Sequence, residues 1–256
     1  MKDGSSFTWK ELEINTQQVL QKLEVNDLFL NLDKCVFDVK EVKYLGMYIK
    51  ENQIKIKQTK LEGIIDWPIF TTMKQVQSFL EFGNSYRKFI RHYMNIAWPL
   101  NNLMKKDHPW NWTNNCQLAF DDLKAAFIEA PILLMPNTMK LFVVESDALK
   151  WTTGGVLQQQ DKNRNWHFCG FISHSFSQTQ RNYKIYNQGL LGIVCTLETW
   201  CHYLQGSQFS TVILSDYKNL MYFQTTQKLS QQQAHWSLFL SEFDLKLIHV
   251  SGSQMI

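Results

Sequence analysis

Leu141-Phe142-Val143-Val144-Glu145-Ser146-Asp147 is an apolar run that ends on a carboxylate, and Thr211-Val212-Ile213-Leu214-Ser215-Asp216 repeats the arrangement. Short runs rich in β-branched and aromatic residues read as buried strands. An aspartate closing each one presents two carboxylates at a single edge of a sheet. Hard divalent cations take oxygen ligands, and a phosphodiester brings oxygens of its own, so such an edge suits magnesium-dependent phosphodiester cutting. Taken singly, strand-end aspartates are more often caps or turn residues, so the surrounding sequence has to decide.

Around these runs the pattern is that of a mixed sheet. Three β-like stretches near 141–147, 153–160 and 165–174 precede a long helix expected from about Arg181 to Leu204. Its apolar stripe is Tyr183, Leu190, Val194, Leu197, Cys201 and Leu204. A strand at 209–215, a short helix after Asp216, a helix around Gln232–Glu242 and a strand around Leu245–Val250 follow. Three meandering strands and a helical crossover to a fourth imply helices packed on a five-stranded mixed sheet.

The first part of the chain differs. An amphipathic helix is expected over Trp9–Glu24, then β-like runs at Val42–Lys50 and Ile54–Lys57 with Glu51-Asn52-Gln53 as their turn. Thr71 or Thr72 caps a helix from Met73, in which Val76, Phe79, Leu80, Tyr86, Phe89 and Ile90 fall mostly at helical spacing. Lys105 to Pro109 reads as a linker. Thr113 caps a further helix carrying Cys116, Phe120, Leu123 and Phe127, ended by Pro131. The boundary between the two parts is placed at Asp107, giving units 1–107 and 108–256.

Composition fits a folded chain of 256 residues, with 45% hydrophobic and 14% aromatic content. The net charge of +3 is weak support for a polyanionic partner, and it is unevenly placed: 16 basic against 13 acidic residues in 1–110, 10 against 10 in 111–256. Five cysteines without CxxC spacing read as reduced thiols rather than zinc ligands. No signal peptide opens the chain and no apolar run reaches the roughly 18 residues of a membrane span. A soluble intracellular protein of cytoplasm or nucleus, without a membrane partner, is expected.

Several ordered blocks resemble the pol polyprotein of gypsy-type LTR retrotransposons. Leu32 to Phe37, followed by Val42-Lys43-Tyr44-Leu45-Gly46, is similar to the run leading into a primer-grip hairpin. Val76 to Ile90 resembles a polymerase thumb, with Ile96-Ala97-Trp98-Pro99-Leu100 in step behind it. Ala119 to Lys124, Val144 to Ala148, Asn182 to Ile185, Trp200 to Leu204 and Ser215 to Leu220 follow in family order. The resemblance implies an α+β fold: a reverse-transcriptase palm-end hairpin and helical thumb, then an RNase H-like domain with a five-stranded mixed sheet, truncated at its carboxy terminus.

It also implies a duplex-gripping thumb joined to a nuclease that cuts the RNA strand of a hybrid with two magnesium ions and four acids. Asp147 matches the first acid and Asp216 the third. Asn187-Gln188-Gly189-Leu190-Leu191 stands where the family has Asp-Lys-Glu-Leu-Leu, so Gly189 replaces the second. The fourth is expected beyond Gly252–Ile256, and the polymerase aspartates of the family's Tyr-x-Asp-Asp turn before Trp9. Glu198 is no substitute, since nine helical residues put it about 180° round and about 13 Å along from Gly189. Glu145 shares a strand face with Asp147, but the family commonly has it beside the true second acid. Gln231-Gln232-Gln233 stands where relatives tend to carry arginines.

The expectation is therefore a pol-derived remnant, catalytically defective, that binds an RNA–DNA hybrid or DNA duplex through Leu45, Gly46, Arg87, Lys88 and Arg91. Asp147 and Asp216 would hold magnesium, or manganese, weakly or not at all. Two other readings are a hybrid endonuclease using these two aspartates and a domesticated protein-binding scaffold. The tryptophans are taken as packing residues rather than a stacking platform.

Overall fold

The structure, a computed structural model, describes residues 9–37, 39–105, 109–149, 151–216 and 229–251. The helix expected after Asp216, residues 106–108 of the linker with the boundary at Asp107, and the end Gly252–Ile256 lie outside the described residues.

Helix α1 (Trp9–Val25) leads through a 3-10 turn at Leu32–Lys34 to an antiparallel ribbon of β1 (Glu41–Tyr44), β2 (Met47–Lys50) and β3 (Gln53–Ile56). The single strand expected over Val42–Lys50 is two strands. The chain reverses at Leu45-Gly46, both with positive φ (46° and 76°), between the paired Tyr44 and Met47. Two successive left-handed residues make the tight turn whose twist suits a hairpin. Leucine is a poor signal for that conformation, which explains the misreading. Gly46 is required twice over: besides its φ, a Cβ there would lie 2.0 Å from the Tyr86 hydroxyl.

Helix α2 (Gln58–Ile65) precedes α3 (Met73–Tyr86), which opens with the reciprocal capping box of Thr72 and Gln75. The helical reading through Ile90 is too long. Helix α3 stops at Tyr86, a 3-10 turn occupies Arg87–Phe89, and His92 enters the left-handed region (φ 53°) ahead of α4 (Tyr93–Ile96). Then come α5 (Trp98–Leu103) and α6 (Asn114–Ile128), the latter capped by Thr113 as expected. Phe120 of α6 packs edge-on against Phe70 (4.8 Å between centroids) and Phe79 of α3 (5.1 Å). After α6, β4 (Leu133–Leu134) pairs with β3. One apolar core thus runs from α3 to α6 and reaches Val156 and Phe171.

The second sheet contains β5 (Val143–Ala148), β6 (Thr152–Gln160), β7 (Trp166–Ser175), β8 (Thr211–Ser215) and β9 (Leu245–His249) in the order β7-β6-β5-β8-β9. It is mixed: β5 is antiparallel to β6 and parallel to β8, and β8 is parallel to β9. This is the α+β architecture with a five-stranded mixed sheet expected from the sequence. The long helix begins later than Arg181. Ser177 and Gln180 form a capping box that opens a separate turn, α7 (Gln178–Arg181), and α8 runs Ile185–Leu204. Helix α9 (Gln231–Leu240) lies against α8.

Each face of this sheet has its own cover. Phe142, Val144, Leu157 and Ile213 pack with Leu190, Ile193, Val194 and Leu197 of α8. On the other face Val156 and Phe171 join the first core, and the Met94 amide donates to the Ser173 hydroxyl at 3.2 Å.

Candidate functional site

Parallel pairing of β5 and β8 sets the two aspartates level. Their last registered pair is Glu145 with Leu214, and Asp147 and Asp216 each lie two residues beyond it. Adjacent strands are about 4.8 Å apart, so two equal steps bring both carboxylates to one sheet edge. Asp147 is half-buried and Asp216 exposed. The Asp216 carbonyl is 3.0 Å from His249 Nε2, which ties the end of β8 to β9.

Helix α8 carries Gly189 to the same edge. A Cβ on Gly192 would meet Thr153 Oγ1 at 2.6 Å and Ser146 Oγ at 3.2 Å, so this helix face lies directly on the ends of β5 and β6. Thr196 likewise meets Gly155. Gly189 is buried and lies seven residues before Thr196, within about 20° of the same helical direction. It faces the sheet, one turn nearer the helix start than Gly192. Position 189 is thus suited to deliver a side chain to the aspartate edge, and delivers none.

Strand alternation separates the remaining groups. Ser146 faces α8, so Asp147 and Glu145 face the side covered by α4. Glu145 is 3% exposed and accepts from Gln158 Nε2 at 2.7 Å, which engages it in the sheet interior. Gly154 is the registered partner of Asp147, and a Cβ there would lie 2.9 Å from Nδ1 of His92. Burial lowers the His92 pKa, the Arg91 charge lowers it further, and Asp147 opposes both. His92 is a neighbour of Asp147 that the sequence concealed. Local spacing gives no signal that would place this imidazole on a strand elsewhere in the chain.

The expected duplex-binding residues form one neighbourhood without one helical face. Leu45 is exposed at the hairpin tip, and Gly46 abuts Tyr86, the last residue of α3. Arg87 next to it is exposed. Lys88 and Arg91 are half-buried: burial holds the Lys88 amine below its usual pKa, and the Arg91 Nε is buried without a hydrogen-bond partner. Gln232 and Gln233 bond to the Tyr183 hydroxyl (2.7 Å) and Asn187 Oδ1 (3.0 Å), pinning α9 to the start of α8.

Residues 112–211 match the family described as RNase H-like domain found in reverse transcriptase. The Transposon Tf2-3 and Tf2-4 polyproteins of Schizosaccharomyces pombe are each 31% identical to the chain over 241 residues, 93% of it. The chain belongs to the pol polyprotein family of gypsy-type LTR retrotransposons. This pol segment spans 18% of the length of those relatives. Its fold matches that of foamy viral protease-reverse transcriptase in complex with double-stranded DNA (the dRH form; TM-score 0.72, 19% identity, 98% of this chain and 44% of that one). It also matches the same viral protein in complex with an RNA/DNA hybrid (TM-score 0.71, 19% identity, 97% and 34%).

RNase H-like domains typically use divalent metals. Among the described residues of this pol segment, no group of three or more His, Cys, Asp or Glu is placed to hold one. Among the described residues, no helix is long and apolar enough to cross a membrane.

Proposed function

We propose that this pol-derived segment holds a nucleic-acid duplex, an RNA–DNA hybrid or DNA, and cuts it poorly or not at all. The observation that carries the reading is the buried, sheet-facing Gly189 at the edge shared by Asp147 and Asp216. A two-ion mechanism stabilises both the attacking and the leaving oxygen, and each ion needs its own oxygen ligands. Duplex binding is supported by the likeness of the fold to a viral reverse transcriptase seen with such duplexes, and by the hairpin tip lying beside Arg87.

A second reading, an RNA–DNA hybrid endonuclease that keeps weak magnesium- or manganese-dependent activity, is favoured by the level placement of Asp147 and Asp216. One experiment separates the two. A labelled hybrid is incubated with the chain in magnesium and in manganese, and binding is followed in parallel by anisotropy. Binding that weakens steeply with salt, without metal-dependent cutting, supports the first reading. Cutting abolished by Asp147→Asn supports the second. Absence of binding to either duplex at low salt refutes both and leaves a protein-binding scaffold.

A further inference from the structure

Among the described residues, aromatic and cationic groups converge where α5 meets the second sheet. Trp98 of α5 and Trp151, in the turn between β5 and β6, have rings within 7° of parallel and centroids 6.4 Å apart. The Arg181 guanidinium carbon is 4.8 Å from the Trp98 centroid and 5.4 Å from that of Trp151, and Lys105 Nζ is 5.0 Å from Trp98. Arg181 Nε donates to the Phe176 carbonyl at 3.1 Å, which fixes the plane of the guanidinium. Two cations thus share one indole ring, and among the described residues neither has a carboxylate within ion-pair distance.

Like charges gathered at one ring repel, and a cation–π contact at an exposed site offsets only about 0.5–1 kcal/mol. An anion would relieve that repulsion. Trp151 is 39% exposed, so the cluster opens to solvent. Its position is also telling. Trp151 lies four residues after Asp147, and Gln188, next to Gly189, donates to the Arg181 carbonyl at 3.1 Å. The cluster therefore borders the edge that carries the aspartates.

We propose that Trp98, Trp151, Arg181 and Lys105 form a ledge for the sugar-phosphate backbone of a duplex lying across that edge. Arg181 and Lys105 meet phosphates, and the indoles hold the two cations in place. The assignment rests on the duplex-binding reading above and adds to it the residues that grip.

The test is the salt dependence of binding by the full chain to a short RNA–DNA hybrid, with Lys105→Gln/Arg181→Gln compared with wild type. Each phosphate contact contributes about 0.9 to the slope of log affinity against log salt for B-form DNA. The double variant is expected to bind about 10- to 100-fold more weakly at about 50 mM salt and to lose about 2 from that slope. Lys162→Gln/Arg164→Gln, at the opposite end of β6, is the control and should leave both unchanged. Should Arg181→Gln lower thermal stability, Lys105→Gln alone, at an exposed position, must still reduce the slope by about 1.

Wild-type binding with slope and affinity of the double variant within twofold of the control would overturn the ledge and leave duplex binding standing. A wild type that binds neither hybrid nor DNA would overturn both.

Discussion

His92 is seated on bare backbone: its Nδ1 lies 2.9 Å from the point where a Cβ on Gly154 would stand. Gly154 is the ladder partner of Asp147, so this contact joins the segment after α3 to the strand that carries the first aspartate. Gly154→Ala should push the imidazole out of its seat and destabilise the fold by about 1–3 kcal/mol in chemical denaturation. His92→Gly in the same chain should recover most of the loss, because it removes the clash and suits the left-handed backbone at φ 53°. Equal stability of Gly154→Ala and wild type would show that α4 does not hold this position.

The hairpin turn offers a test of opposite signs at adjacent residues. Leu45→Gly should stabilise by up to about 1 kcal/mol, since leucine at φ 46° carries strain that glycine does not. Gly46→Ala should destabilise, because a Cβ there would lie 2.0 Å from the Tyr86 hydroxyl. Tyr86→Phe should recover only part of that loss, since φ remains 76° and the ring carbon remains 3.2 Å away. Thermal melting of the single and paired variants checks all three.

Phe120 is 2% exposed and touches Phe70, Phe79 and Trp112. Phe120→Ala should cost about 3–5 kcal/mol. Because the core it occupies crosses the boundary placed at Asp107, both units should lose stability together in one transition. Calorimetry that resolved two independent transitions, only one of them shifted, would contradict a shared core.

Cysteine labelling gives a pH-dependent readout. Burial pushes the Cys169 thiol up to about 12 and the Cys195 thiol up to about 11. Both thiols keep their protons in the folded state above the pH at which the unfolded chain loses them. Their stabilising contribution is therefore complete below about pH 9 and is lost as pH rises toward 11 and 12, by up to about 1.4 kcal/mol per pH unit for each. At pH 8 a thiol reagent should modify Cys35 much faster than Cys169. Comparable rates at the two positions would refute this.

Gly189→Glu should not produce robust hybrid cutting in magnesium or manganese. Even with a third carboxylate the edge would offer few oxygen ligands for a pair of ions, each of which needs its own set. A buried carboxylate without partners is also costly, and the variant should melt at a lower temperature. Strong metal-dependent turnover by this variant would show that the missing carboxylate alone silences the chain.

The strands that carry Asp147 and Asp216, the caps at Thr72 and Thr113 and the face of α8 were legible in the sequence because each depends on neighbours within a few residues. Where reading failed, the deciding contact was distant or the conformation untypical of its residue. Leu45 in the left-handed region hid the first hairpin turn. The separate capped turn Gln178–Arg181 moved the start of the long helix to Ile185, leaving Tyr183 of the expected apolar stripe outside it. His92 follows the 3-10 turn Arg87–Phe89 and is seated against Gly154 of β6, a contact no local pattern records.

By itself the sequence determined which residues end the two acidic strands and that position 189 offers no carboxylate, since strand period and residue identity are local properties. Only the tertiary structure decided that Asp147 and Asp216 stand level, that His92 sits beside Asp147, and that Trp98, Trp151, Arg181 and Lys105 converge. Those relations arise when elements far apart in the chain pack on the two faces of one sheet, and local pattern records neither which face a partner covers nor how far along a strand it comes to rest.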